Sequence, residues 1–213
     1  MATITIIGGH GKVALRLARL LSDRGDEVSS WVRNPDHVPD VEATGAAAVL
    51  ADVESMNLDT LTQQLVGASA VVWAAGAGGG TADRTYAVDR DAAIRSMDAA
   101  ETAEVGRYVM VSYFYDKPDH GVSPDSAFFP YAQAKAAADA ALRLSPLDWV
   151  ILGPSRLTDD PGTGAIETGA GVSASQVSRD DVAAVVAHVL SDPSISRVTI
   201  DFNGGPTPIA DAI

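Results

Sequence analysis

Ile4-Thr5-Ile6-Ile7-Gly8-Gly9-His10-Gly11-Lys12-Val13-Ala14 is the stretch that decides the fold. Its first four residues are apolar or β-branched and read as a strand. Val13, Leu17, Ala18, Leu20 and Leu21 then recur at helical spacing. A strand, a glycine turn and a helix in that order suit the pyrophosphate of a dinucleotide. Gly8 permits the tight turn, Gly11 lets backbone approach phosphate with no Cβ between, and small Ala14 lets helix pack on strand. The N–H groups of the helix's first turn then point at the anion. Glycines alone are a weak motif; their place directly after the first strand gives them weight.

The alternation continues outward from that point. Apolar runs at 3–7, 28–32, 46–50, 70–73, 108–111, 149–152 and 198–202 read as strands. Helical patterns at 12–23, 58–66, 87–103, 131–144 and 179–190 lie between them. Short strands interleaved with helices imply parallel pairing through right-handed crossovers. The expected fold is a Rossmann-like α/β architecture, a doubly wound and mostly parallel sheet with helices on both faces, in three layers. Its ligand crevice belongs at the carboxyl ends of the strands. The glycine-rich segment Gly76–Gly80 follows the strand at 70–73 and suits a close backbone approach to a ligand better than a linker.

At 213 residues, one domain spanning 1–213 is expected, with a small substrate-bordering region at about 153–178. Apolar residues make up 46% and charged residues 20%, an ordinary globular balance. The formal charge of −13 repels nucleic acid and anionic membrane, so neither is an expected partner. An anionic cofactor must then be held by backbone dipoles and a few placed cations. The absence of cysteine excludes disulfides, thiolate metal sites and cysteine nucleophiles. No signal-peptide pattern and no unbroken apolar stretch of about 18 residues occurs, so a cytoplasmic protein is expected, as a monomer or homodimer. The four histidines lack metal-ligand spacing, and no metal is expected. No Gly-x-Ser-x-Gly elbow marks a serine hydrolase.

Several side chains carry chemistry. The second strand ends at Arg33-Asn34, where an NAD-preferring site places an acid; a planar guanidinium suits a 2′-phosphate, which favours NADP(H) and leaves NAD(H) possible. The plainer reading of Arg33 is a solvated strand-end cation. Asp52, with Val53, follows the third strand and suits adenine, or else a turn or helix cap. Tyr131 and Lys135 stand four apart on one helix face, so ammonium and phenol project together. A neighbouring cation lowers a phenol pKa, which suits Tyr131 as acid toward an oxygen receiving hydride. Such a pair also arises by chance. Ser112, at the end of the fifth strand, is placed to orient a substrate carbonyl. The acidic pairs Asp159-Asp160 and Asp180-Asp181 read as loop and helix-start features.

In this order the residues resemble the short-chain dehydrogenase/reductase superfamily, and among its members the small, atypical, single-domain NAD(P)-binding proteins of NmrA-like and epimerase-like type. The resemblance runs through nearly the whole chain: the glycine turn, Val88-Asp89-Arg90-Asp91-Ala92-Ala93, Tyr131-Ala132-Gln133-Ala134-Lys135, Gly153–Gly164, Ser178-Arg179-Asp180-Asp181-Val182-Ala183 and Gly204–Ile209. It implies that Gly8 and Gly11, with their neighbours Gly9, His10, Lys12 and Val13, hold pyrophosphate. It places Arg33 and Asn34 at the 2′-phosphate, Asp52 and Val53 at adenine, and Ala74, Ala75 and Gly76 at the adenosine ribose. Tyr131, Lys135 and Ser112 become the catalytic set, Lys135 also serving the nicotinamide ribose, with Pro154 and Ser155 near the nicotinamide.

Two departures from the family pattern matter. Ser112 is followed by Tyr113 and Phe114 rather than by a second hydroxyl residue. That leaves open whether Ser112 faces the core, with Tyr113 donating in its place or the set incomplete. Tyr113, Phe114, Tyr115, Phe128 and Phe129 can line an apolar pocket or simply pack at the sheet's edge. The second departure is length: only about sixty residues follow Leu152, too few for a nucleotide-sugar domain. The expected activity is NAD(P)H-dependent reduction of a small carbonyl, quinone or flavin-like substrate. The alternative is a non-catalytic NAD(P)-sensing protein of NmrA type.

Overall fold

Both faces of the central strands are apolar, which forces helices onto both. In the computed structural model, which describes residues 1–115, 120–169 and 171–213, Thr3–Ile7 forms β1 and leads through the glycine turn into α1 (Lys12–Asp23). β2 (Glu27–Val32), α2 (Val38–Glu42), β3 (Ala47–Leu50), α3 (Leu58–Leu65) and β4 (Ala70–Trp73) follow. Next come α4 (Ala82–Thr85), a π-helical segment (Tyr86–Ala92), α5 (Ala93–Thr102), β5 (Arg107–Val111), α6 (Phe129–Leu144) and β6 (Asp148–Pro154). The remainder forms β7 (Arg156–Thr158), β8 (Ala165–Thr168), β9 (Gln176–Ser178), α7 (Arg179–Ser191), β10 (Val198–Gly204), β11 (Thr207–Pro208) and α8 (Ile209–Ala212).

The main sheet has the order β11-β8-β10-β6-β5-β4-β1-β2-β3, and β7 pairs with β9 in a small second sheet. From β3 to β10 every pairing is parallel. β8 runs antiparallel to both β10 and β11. Alternating side chains divide the core. Ile4, Ile6, Val72, Val109, Val150 and Leu152 pack with α1 and α7. Ile7, Val71, Trp73, Tyr108, Met110 and Ile151 pack with α3, α5 and α6. Each fully buried aliphatic side chain contributes about 1.5–3 kcal/mol. The doubly wound, three-layer sheet expected from the sequence is therefore present.

Two parts differ from the expectation. The helix read as one span over 87–103 starts earlier, at Ala82, where the Thr81 side chain accepts the Arg84 amide, and passes through the π segment before α5. The region at 153–178, of which Ala170 lies outside the described residues, contains β7, β8 and β9. These strands have three or four residues and partners distant in sequence, so no periodic pattern announces them.

Ser178 caps α7 by accepting the Asp181 amide at 2.9 Å. The buried Asp181 carboxylate accepts the Ser178 hydroxyl at 2.8 Å and the amides of Thr163 and Gly164 at 2.9 and 2.7 Å. One residue thus ties the 161–164 loop to the helix. Asp181→Ala leaves these donors without partners, and a loss of about 2–3 kcal/mol is expected. It would be read as a lower urea midpoint at unchanged m.

Candidate functional site

The site begins where β1 ends. Gly8 takes φ +91°, and a Cβ there would stand 2.5 Å from the backbone N and Cα of Ala75. No side chain fits. The Gly9 amide donates to the Trp31 carbonyl at 2.8 Å, and the Gly11 amide to the Gly8 carbonyl at 2.9 Å. Gly11 caps α1 with extended backbone, no side-chain cap and no acid in the first turn. The positive end of the helix dipole therefore stays unneutralised by the protein's own side chains.

In front of this turn lies a cleft of about 460 Å³. It is lined by Gly8, His10 and Gly11 from the turn, Arg33 and Asn34 after β2, Asp52 and Val53 after β3, and Ala74, Ala75 and Gly76 after β4. The register sets Ile7 level with Trp31 on one side and Trp73 on the other, so all these segments leave the sheet at one height. Arg33 is 54% exposed at the side chain, and one guanidinium nitrogen lies 3.4 Å from Glu54. Arg84 approaches the same Glu54 oxygen at 3.5 Å.

Other expected residues are placed elsewhere. Gly9 is buried against Ser30, and Val13 is buried in the core on the α1 face. Lys12 pairs with Asp159 at 2.8 Å. The Asn34 side chain accepts the Asp36 amide at 3.0 Å, and Asp52 accepts the Glu54 amide at 3.3 Å, so both shape turns as well as line the cleft. Pro154 and Ser155 do not line it: the Ser155 hydroxyl donates to Asn203 at 2.5 Å and accepts the Ser175 amide at 3.0 Å. The cleft also has walls that sequence reading missed, Trp31, His37, Glu54, Arg84 and Val88. His37 stacks on His10 with ring centroids 3.6 Å apart, and His10 contacts Asp40 at 2.8 Å. No spacing rule links residues 10, 37 and 40.

A second cavity of about 360 Å³ adjoins the cleft at Gly78, which lines both. Its walls include Gly79, Gly80, Asp89, Phe128, Pro130 and Tyr131. Tyr131 lies among aromatic rings, 5.1 Å from Phe128 and 5.5 Å from Tyr113, and Tyr113 packs against Tyr115 at 5.1 Å. Phe129 lies against His120 instead.

The expected electronic effect of Lys135 on Tyr131 is not found. Burial raises the Tyr131 pKa, and the nearby Asp89, Tyr113 and Asp139 raise it further. Lys135 is 1% exposed; its ammonium donates to the Val111 carbonyl at 2.9 Å and touches the Met110 sulfur at 3.4 Å. Burial lowers the Lys135 pKa, opposed by Asp139 and Asp89. Ser112 is also buried, and its hydroxyl donates to Asp139 at 2.6 Å. Tyr115 donates to the same carboxyl oxygen at 3.1 Å. Asp139 was not anticipated, although it continues the series Tyr131, Lys135 at the same four-residue spacing.

The glycine turn, the cleft at the strand ends and the doubly wound sheet define an NAD(P)-binding protein of atypical short-chain dehydrogenase/reductase type. The family model described as NAD(P)H-binding matches residues 8–193, and the chain belongs to that family. It is 34% identical over 212 residues to the uncharacterized sugar epimerase YhfK of Bacillus subtilis, covering 99% of this chain and 98% of that protein. A Bacillus halodurans structure, assigned provisionally by its name to the NAD-dependent epimerases/dehydratases, superposes with TM-score 0.90 at 31% identity, covering 99% of this chain and 97% of that one. The oxidoreductase ylbE of Lactococcus lactis superposes with TM-score 0.87 at 28% identity, over 99% and 94% of the two chains.

Two measurements check the site's physics. Gly8→Ala puts a Cβ against backbone in left-handed geometry, and a loss of about 2 kcal/mol or more is expected in chemical denaturation. Asp201 is raised to about 6, by burial first and then by Asp139, against a smaller lowering by Arg143. A carboxyl with a raised folded pKa binds protons more readily folded than unfolded, so its contribution to stability falls as pH rises from its ordinary 3.8 to about 6. Asp201→Asn should remove that fall, seen as the difference between the two proteins' stability curves from pH 4 to 7.

Proposed function

We propose that the chain is an oxidoreductase that prefers NADP(H) and reduces a small carbonyl, quinone or flavin-like substrate. The observation that carries this reading is the continuity of the two cavities at Gly78. A cleft of about 460 Å³ lined by the glycine turn and Arg33 adjoins an aromatic pocket that holds titratable groups. The residues present fit the cofactor: Gly8 and Gly11 leave no Cβ toward its phosphates, the first turn of α1 carries no acid, and Arg33 stands at the cleft's rim. When bound, NADP(H) supplies the hydride.

The chain's own residues do the rest. The turn and the α1 N-terminus hold pyrophosphate, Arg33 pairs with the 2′-phosphate after giving up Glu54, and Asp52 with Val53 borders adenine. The proton comes from the polar end of the second pocket, where Tyr131 stands with Lys135 behind it. The reductase reading also agrees with the name oxidoreductase carried by the Lactococcus lactis protein. The epimerase names of the other two relatives point instead to a retained NAD⁺ and a sugar substrate; Arg33 at the cleft's rim weighs against NAD⁺.

A second reading, an NAD(P) sensor without turnover, is favoured by two observations: Ser112 is committed to Asp139, and the Tyr131 phenol is made a weaker acid. Comparing wild type with Arg33→Ala tests cofactor preference; the substitution should shift the NADPH/NADH affinity ratio about tenfold or more toward NADH. An unchanged ratio removes the 2′-phosphate assignment. NADPH oxidation across a panel of carbonyls, quinones and flavins tests the reaction: tight NADPH binding with no turnover of any of them selects the sensor.

A further inference from the structure

The sequence assigns Asp89 no role, yet its carboxyl is almost wholly buried. It is 1% exposed, on the π-helical segment, and forms part of the wall of the second cavity beside Tyr131. Its Oδ2 accepts the Ala77 amide at 2.9 Å. Its Oδ1 has no partner among the described residues and lies over Gly76, where a Cβ would come within 3.1 Å of it. Gly76 lines the cofactor cleft, so this orphan oxygen sits where the two cavities meet. The π turn explains the placement: Val88 lines the cleft while the next residue lines the pocket. Such widened turns in helices recur at functional sites.

The charges around it make the unpaired oxygen significant. From α6 the charges of Lys135 and Tyr131 act on it, and from α4 that of Arg84; Asp139 acts on the same Lys135 ammonium. The Lys135 ammonium spends its bonds on Val111 and Met110 and donates to neither carboxyl. Two buried carboxyls thus share one buried cation, and the cheapest balance leaves a proton on a carboxyl. Burial raises Asp89, against smaller lowering by the Ala77 amide, Lys135 and Arg84.

We propose that Asp89, rather than the Tyr131 phenol, is the acid that meets the substrate, and that the substrate is a flat conjugated ring bearing a proton-accepting carbonyl oxygen or ring nitrogen. This rests on the NADP(H)-dependent reductase reading. The pocket's lining suits a ring: Gly78, Gly79 and Gly80 contribute no side chains, and Phe128, Pro130 and Tyr131 contribute flat or cyclic ones. Bound NADPH would supply hydride with its electron pair to the carbon of a C=O or C=N group, at the expense of its own oxidation. Asp89 gives its proton to the heteroatom, and its carboxylate regains one from water.

The test uses the full chain with NADP(H) and a 1,4-naphthoquinone as probe. Asp89→Asn keeps an acceptor for the Ala77 amide, so the fold is retained while the proton source is lost. Turnover should fall about 100-fold or more, with the NADPH KM little changed; wild type should lose rate as pH rises, and the variant should lack that dependence. Tyr131→Phe should cost less and keep that pH dependence; the reverse order of the two variants overturns the proposal. A second readout needs no turnover. In protein labelled with 13C at the aspartate carboxyls, the resonance missing from Asp89→Asn should report a protonated acid at pH 7 with NADP⁺ bound, and should shift when the naphthoquinone is added. An ionised Asp89, or one blind to the ring, overturns the assignment whether or not the protein turns over. No NADPH binding in wild type defeats the reductase reading instead, and the carboxyl resonance still decides whether Asp89 is a proton-bearing group facing the ring.

Discussion

Everything in this molecule depends on a backbone-to-backbone contact between the turn after β1 and the end of β4. With Gly8 against Ala74 and Ala75, there is no space for even one carbon. That closeness follows from parallel pairing of adjacent strands in register, Ile7 level with Trp73. It lets the helix N-terminus face the crevice at the point where successive crossovers diverge to opposite faces of the sheet. A bulkier turn would push α1 away from the sheet and take its donors out of reach of an anion.

A second constraint lies across the sheet's other face. Tyr131, Lys135 and Asp139 form a ladder along α6, and two of the three are wholly buried. Burying charge is costly unless each group finds partners, so the fold surrounds this ladder with Ser112, Tyr115 and Asp89. The arrangement adds little net stability compared with an apolar core of the same volume. Its position beside an aromatic pocket points to chemistry rather than to packing. Lys135 directs two of its donors to β5, and for the Tyr131 phenol burial and the neighbouring acids decide the direction of the shift.

The acidic exterior meets the cofactor seat through a separate device. Asp159, in the loop after β7, draws together Lys12 of α1, Arg16 and Arg179 at 2.8, 3.6 and 3.0 Å. The Asp159 carboxylate offsets part of their charge, and the pairs fasten the loop after β7 to the first helix. In a chain of formal charge −13, the cations lining the cleft therefore matter more than their number suggests. Arg33 and Arg84 line it, bridged by one oxygen of Glu54.

The sequence by itself determined the layered fold, because apolar period and glycine placement are local signals that survive without knowledge of neighbours. β1, α1 and β4 match their expected limits, and Gly8, Gly11, Arg33, Asp52 and Gly76 meet in one cleft because successive strand ends of a parallel sheet must meet there. The short strands β7, β8 and β9 were not legible, since three-residue pairings are set by distant partners. Nor were the bonds of Ser112 and Ser155 to Asp139 and Asn203, which join residues 27 and 48 positions apart. Only the tertiary structure decided which acid faces the pocket. Whether a carboxyl is solvated or stranded depends on what packs over it, and Asp89 is stranded by a helix and a loop brought together by the sheet.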